Sequence, residues 1–456
     1  MYSLVIVALV AWAVVATERD AGLVSERSGR AQHVRNNANR CTDEQIQFQV
    51  DHYDLVDAFI CDSGAMSPWK IVQLLYPNIR TFLDIGGNRG YTAAHFFGLW
   101  SPGHGFNRKS LFDALKSDAA KSLLVNNNEL NTYCGDGVND DDPIFCIGRP
   151  FPPNNCQSRR AINVYSFDGQ KSHVVDSIGI AKRHFPRVTP DYIVNPDLSL
   201  VKAKWEYFHA ALTDVIPPNV THGYFIFDSA ETGRLVKSTE APSSYNTTAV
   251  PLLTVDKFCQ DHKLDYVPVL KIDAEGGDYK VLMGATRTLS HRGVKVINFE
   301  CSSCMGDEAT DVFKMLDNYG FDCYISGKYN LFLRVTNCLN VSAITNGAFQ
   351  CTEASNAKCP EVIKWRRESN RRIDGNAYCA HRNRAFTLHA FFESASLHNF
   401  VNNTNSGHFH NDAILSNVNA KFSAHEDGIS IGNDDTIAAY FRHFGRNYYT
   451  GEREYQ

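Results

Sequence analysis

The stretch Arg80–Phe97, RTFLDIGGNRGYTAAHFF, passes from an apolar run through a glycine-rich turn into helix formers. TFLDI reads as a buried strand, and YTAAHFFGLW after the turn reads as a helix. A strand feeding a helix through glycines opens a βαβ unit, and ligands of such sheets bind at the C-terminal strand ends.

The alternation returns downstream. AINVYSFDG reads as a strand, QKSHVVDSIGIAKRHFP as a helix and WEYFHAALTD as a further strand. DYVPVLKIDAEG and VKVINFECS are apolar strands ending in acidic residues, with the amphipathic GDYKVLMGATRTLSHRG between them. DEATDVFKMLDNYG is a helix, and FDCYIS with LFLRVT reads as a closing pair of strands. Strands alternating with helices predict an α/β fold with a mostly parallel sheet and helices on both faces.

Upstream, Cys41 to Pro77 has a helical pattern, with Ser67 as N-cap and Pro68 at the first helical position of MSPWKIVQLLYP. Residues 101–160 interrupt the alternation with turn formers and carry Cys134, Cys146 and Cys156, which predicts a disulfide-tied insertion. GDGVNDDD within it lacks the acidic spacing and closing Glu of a calcium loop and reads as a solvated turn. From His398 the chain is polar, and His408-Phe-His410 reads as solvated.

At 456 residues and 43% hydrophobic, the chain can bury a large core. Its net charge of -5 comes from interspersed signs, and nothing in it argues for a nucleic-acid or anionic-membrane partner; none is expected. An apolar run from Leu4 to Ala16 is short of the roughly 20 residues that span a bilayer and predicts a signal peptide cut after Ala16, with an uncleaved anchor as the alternative. Thirteen cysteines and acceptor sequons at Asn219, Asn246, Asn340 and Asn402 agree with a secreted or luminal protein. The odd count leaves at least one thiol unpaired or bridged to another chain. Cys301-Ser-Ser-Cys304 has redox spacing without a thioredoxin-like context or a second zinc pair, and reads as structural disulfide bonding.

The glycine turn excludes two cofactor classes. A dinucleotide fingerprint needs Gly-x-Gly-x-x-Gly, and counting from Gly86 puts Asn88 and Tyr91 at the later glycines. No Gly-Lys-Ser or Gly-Lys-Thr follows, so the phosphate-cradling loop is missing too. What remains is Asp84-x-Gly86-x-Asn88-x-Gly90, a carboxylate at a strand end with glycines that let a ligand lie against the turn. S-adenosylmethionine suits it, because its ammonium and sulfonium charges are attracted to acidic groups. Asp168 in VYSFDG stands where a carboxylate for ribose hydroxyls is wanted, and Asp214 is a candidate for the adenine amino group. The structural alternative is that Asp84 caps the next helix and the glycines only make a tight turn.

The turn, Val255-Asp256 and Lys271-Ile272-Asp273-Ala274-Glu275-Gly276 together resemble the FkbM family of S-adenosylmethionine-dependent methyltransferases, over roughly Phe82 to Thr336. Val255 stands in place of the usual Leu, and Gly87 where the family often has Ala. The resemblance implies a Rossmann-like class I methyltransferase fold with a closing antiparallel strand, and methyl transfer to a hydroxyl on a glycan or other hydroxylated small molecule. Domains are then expected at 1–16 (signal), 17–75 (stem and N-terminal helical region), 76–336 (methyltransferase, with the 101–160 insertion) and 337–456 (cysteine-containing extension and polar tail).

Asp273 and Glu300, at neighbouring strand ends, are the catalytic candidates. Either serves as general base, or both ligate a divalent cation; the metal-free version is favoured because no third ligand is identifiable. Glu275 is expected to shape the turn or contact the cofactor rather than do chemistry, and Lys271 is read equally as a site residue or as the partner of a buried carboxylate. A binding protein that keeps the fold without turnover is the competing reading, and a nicotinamide oxidoreductase is disfavoured by the glycine spacing.

Overall fold

A computed structural model describes residues 41–51, 68–121, 161–188, 204–227, 233–236, 247–301, 308–326, 332–338 and 375–394, with Ser396. The leader and stem, residues 122–160 with their three cysteines, Cys304, the sequon residues Asn246, Asn340 and Asn402, and the polar tail lie outside them. No helix among the described residues is long and apolar enough to cross a membrane.

In chain order the helices are α1 (Asp43–Asp51), α2 (Pro68–Leu75), α3 (Tyr91–Trp100), α4 (Arg108–Lys121), α5 (Lys171–His184), α6 (Val255–Asp261), α7 (Asp278–Met283), α8 (Thr286–His291), α9 (Glu308–Asn318) and α10 (Phe386–Ser394). The strands are β1 (Thr81–Ile85), β2 (Asn163–Asp168), β3 (Lys204–His209), β4 (Ala211–Leu212), β5 (His222–Phe227), β6 (Gly233–Val236), β7 (Thr247–Leu253), β8 (Val269–Ile272), β9 (Val296–Cys301), β10 (Phe321–Ser326), β11 (Phe332–Arg334) and β12 (Gly375–His381).

Eight strands form one sheet in the order β11-β10-β12-β9-β8-β1-β2-β3. The run from β9 through β8, β1 and β2 to β3 is parallel throughout. β8 is buried along its whole length and β1 from Phe82 onward, as strands covered on both faces must be. The core beside β1 is aromatic: Phe82 stacks on Phe96 at 4.5 Å, and Trp69 and Trp100 pack edge-on around them. Pro68 opens α2 as its fixed φ favours.

The sheet closes differently from the expected strand pair. β10 and β11 do pair, but at the sheet edge, and β12 lies antiparallel between β10 and β9. That strand, GNAYCAH, comes from the region expected to be an extension; local alternation reveals a hairpin but not a distant strand that fits beside it. Cys323 and Cys379 face each other across β10 and β12 and are bridged, and a second disulfide ties Cys41 to Cys338. Cys259 is a buried free thiol whose pKa burial pushes up to about 11.

Two further differences bear on the site. WEYFHAALTD is not one strand: it breaks at Ala210, and β4 joins a separate sheet ordered β4-β7-β5-β6. The amphipathic segment after β8 breaks at Gly284, where a Cβ would meet the Thr213 carbonyl oxygen at 2.1 Å. Asp256 of the Val-Asp dipeptide then caps α8, accepting from the Arg287 and Thr288 N–H groups at 2.9 and 2.7 Å.

Candidate functional site

Strand order reverses at β1, whose neighbours are β2 and β8, and this is where an open α/β sheet holds its ligand. A cavity of about 440 Å³ opens there, lined by the ends of β1 and β2, residues 210–212 and the turn 273–277. Its volume falls within the roughly 300–1,000 Å³ of small-molecule sites.

The glycine turn is fixed by contacts on both sides. Gly86 and Gly87 donate their N–H groups to the Phe167 carbonyl at 2.9 Å, and Asp273 N–H donates to Ile85 O at 2.9 Å. Gly86 has φ +74°, and a Cβ there would lie 1.6 Å from the Asp273 carbonyl oxygen, so only glycine serves. Asn88 adopts φ +47°, a conformation asparagine tolerates better than most residues. Gly90 starts α3 at φ +85° with the Trp205 ring against it, behind the cavity lining.

Asp168 lines the cavity. Its Oδ2 accepts from Asn88 N–H at 2.8 Å, its Oδ1 from Gln170 N–H at 2.6 Å, and His173 Nδ1 lies 3.5 Å from Oδ2. Two carboxylate oxygens offer about four acceptor sites, so capacity remains for a ligand diol.

Asp84 is placed otherwise than a ligand contact would be. It is fully buried and absent from the cavity wall. Its Oδ2 accepts from Ser166 Oγ at 2.9 Å, and Oδ1 lies 3.4 Å from Lys271 Nζ. Burial pushes its carboxyl above the ordinary range, against the pull of Lys271 and Ser166. Nor does it cap α3: its carboxylate accepts from Ser166 Oγ and faces Lys271 Nζ, not an N–H group of the helix.

Asp84 belongs to a polar row that crosses the buried sheet. In register, Tyr207, Ser166, Asp84, Lys271 and Asn298 lie side by side on β3, β2, β1, β8 and β9, and all five are buried. Two members touch the glycine turn from beneath: Lys271 Nζ donates to Gly86 O at 2.9 Å, and Tyr207 OH donates to Asn88 O.

Asp273 lines the cavity with its side chain about half exposed, its Oδ2 3.4 Å from Lys271 Nζ. Glu275, at φ +49°, is exposed and also lines it. Glu300, half-buried at the end of β9, and Asp214, exposed and bonded by Thr213 Oγ1 at 2.9 Å, are not part of the wall. Asp168, Asp273 and Glu275 thus face the cavity with Lys280, a surplus of negative charge that fits a cationic ligand better than a pyrophosphate.

Phe225 and Leu235 complete the wall and were not legible as site residues. They are direct cross-strand partners on β5 and β6 and so project from one face of the small sheet. HGYFIF is an apolar, aromatic run with strand propensity, but nothing local shows that it folds back over the turn after β2.

Among the described residues, one group of three side chains has metal-ligand spacing: Asp322, His389 and Glu393, away from the cavity. Its charges are already matched. Asp322 pairs with Arg382 at 2.8 Å and His389 at 2.6 Å, and Glu393 with Arg334 at 2.9 Å. Burial alone would raise the Asp322 pKa, yet His389 and the two arginines hold it below the ordinary value.

A family model described as the methyltransferase FkbM domain matches residues 84–323, more than half of the chain. The match runs from Asp84 at the end of β1 to Cys323 in β10, and so spans every wall of the cavity. No curated protein and no solved structure matches.

Proposed function

The chain belongs to the FkbM methyltransferase family, and from that premise we propose that it transfers a methyl group from S-adenosylmethionine to a hydroxyl of a glycan or another hydroxylated small molecule in the secretory pathway or outside the cell. The observation that carries the donor assignment is Asp168, a carboxylate held by two backbone N–H groups at the edge of a cavity with an acidic surplus. S-adenosylmethionine, when bound, supplies an electrophilic methyl group on a sulfonium.

In this reading Asp168 holds the ribose hydroxyls, the Gly86–Asn88 turn and Glu275 border the amino-acid end, and residues 210–212 with Phe225 and Leu235 enclose the adenine. Asp84 acts from below, through Lys271 and Ser166, rather than on the ligand. Asp273 is the general base: it combines a cavity position with an exposed carboxylate that can accept the hydroxyl proton. Glu300 and Asp214 lie off the wall and take no part in this assignment. Much of the acceleration comes from holding donor and acceptor in contact. The two disulfides support an oxidising compartment.

Calorimetric titration of the purified chain with S-adenosylmethionine, with NAD as control, tests the donor assignment. Saturable binding of the sulfonium alone is expected, followed by methyl transfer in a screen of hydroxylated acceptors. No binding at millimolar donor would overturn it in favour of a secreted binding protein that keeps the fold without turnover.

A further inference from the structure

Two turns built on different strands must stay in register for the cavity to keep its shape: 86–90 after β1 and 273–277 after β8. They meet at one ammonium. Lys271 Nζ lies 2.9 Å from Gly86 O, 3.4 Å from Asp84 Oδ1 and 3.4 Å from Asp273 Oδ2. The pattern follows from strand geometry. Lys271 is the register partner of Asp84, and Asp273 stands two residues further along, so all three side chains share a face.

A buried lysine is costly to desolvate, and replacing a buried ion pair by apolar groups is often neutral or stabilising. Stability alone does not call for this pair in the middle of the sheet. Its placement does something an apolar pair cannot: it bonds a carbonyl of one turn and holds a carboxylate of the other. Tyr207, three strands from Lys271 in the same row, supports only the first turn, through Asn88 O.

We propose that Lys271 is a positioning residue that locks the Gly86 turn to the Asp273 turn, with Asp84 as its buried counter-ion and Tyr207 as a second support for the Gly86 turn alone. The proposal deepens the donor-site reading by naming what holds the site in shape. Lys271 does not itself line the cavity; it acts through Gly86 and Asp273, which do.

The test uses the full chain. Lys271→Met alone strands the Asp84 charge and is expected to destabilise the fold, so the informative variant is Asp84→Asn/Lys271→Met, which removes both charges. It should melt close to the wild type. Amide hydrogen exchange in the ligand-free protein should nevertheless accelerate at least tenfold in both 86–90 and 273–277. Tyr207→Phe should accelerate 86–90 only, and the affinity of the double variant for S-adenosylmethionine should fall at least tenfold. Unchanged exchange in either turn of the double variant, or acceleration spread over the whole sheet, would overturn the proposal. Because exchange is read without ligand, a wild type that fails to bind the sulfonium sinks the donor reading and leaves the positioning role to be decided by exchange.

Discussion

The ring of Phe225 packs directly on Gly169, so closely that a Cβ on the glycine would lie 2.4 Å from ring carbons Cδ2 and Cε2. Gly169 has no left-handed φ to explain it; the contact does. Gly169→Ala should therefore displace the ring from the cavity wall. Overpacking of this kind costs about 1–3 kcal/mol, and we expect donor affinity to fall roughly tenfold, since 1.4 kcal/mol is a factor of 10. In a Phe225→Ala background the same substitution should cost almost nothing further. A double-mutant cycle on the dissociation constant measures this, and additive effects would show that Gly169→Ala does not act through the ring.

Asp168→Asn tests the carboxylate beside it. The variant keeps shape but loses the ionised acceptor, and one oxygen becomes an amide that meets a backbone N–H donor. Hydrogen bonds to charged groups contribute about 1.5–3 kcal/mol, so S-adenosylmethionine binding should weaken by roughly 10- to 100-fold. The N–H left facing the amide should also lower thermal stability by about 1–3 kcal/mol, so binding is compared below the melting transition of both proteins. Unaltered binding would remove Asp168 from the ribose role.

The parallel half of the sheet was legible because β1, β2 and β8 are apolar runs that end in recognisable turns, and with it the position of Asp168 at a strand end, which the fold brings to the cavity wall. What escaped depended on distance in sequence. β12 fills its slot through pairing with strands far upstream, and Phe225 reaches the cavity only because β5 belongs to a second sheet. Asp84 sits in the motif where the reading placed it, yet its side chain turns to Ser166 and Lys271. Alternation gives the face of a residue on a strand, but β1 is covered on both faces, and the identity of the neighbours comes from register alone.

Asp278 makes the stability of the fold depend on pH. It begins α7 with its side chain buried: Oδ2 accepts from Ala274 N–H at 3.2 Å, while Oδ1 has no hydrogen-bond partner. Burial, reinforced by the charge on Asp273, pushes its pKa from 3.8 up to about 7, against the pull of the Ala274 N–H and Lys271. The folded value lies above the unfolded one, so between these two pH values the folded chain binds more protons, and stability falls as pH rises through the window. Below about pH 4 the group is neutral in both states and contributes nothing; above about pH 7 the penalty is complete. A shift of this size corresponds to something on the order of 4 kcal/mol. Asp278→Asn keeps an acceptor for Ala274 N–H and cannot titrate. Its melting temperature relative to the wild type should therefore climb steadily from pH 4 to pH 8, on top of any constant offset from the new amide. Parallel melting curves for the two proteins across that range would show that Asp278 is ionised in the folded state at low pH, and that the vacant Oδ1 position is solvated rather than dry.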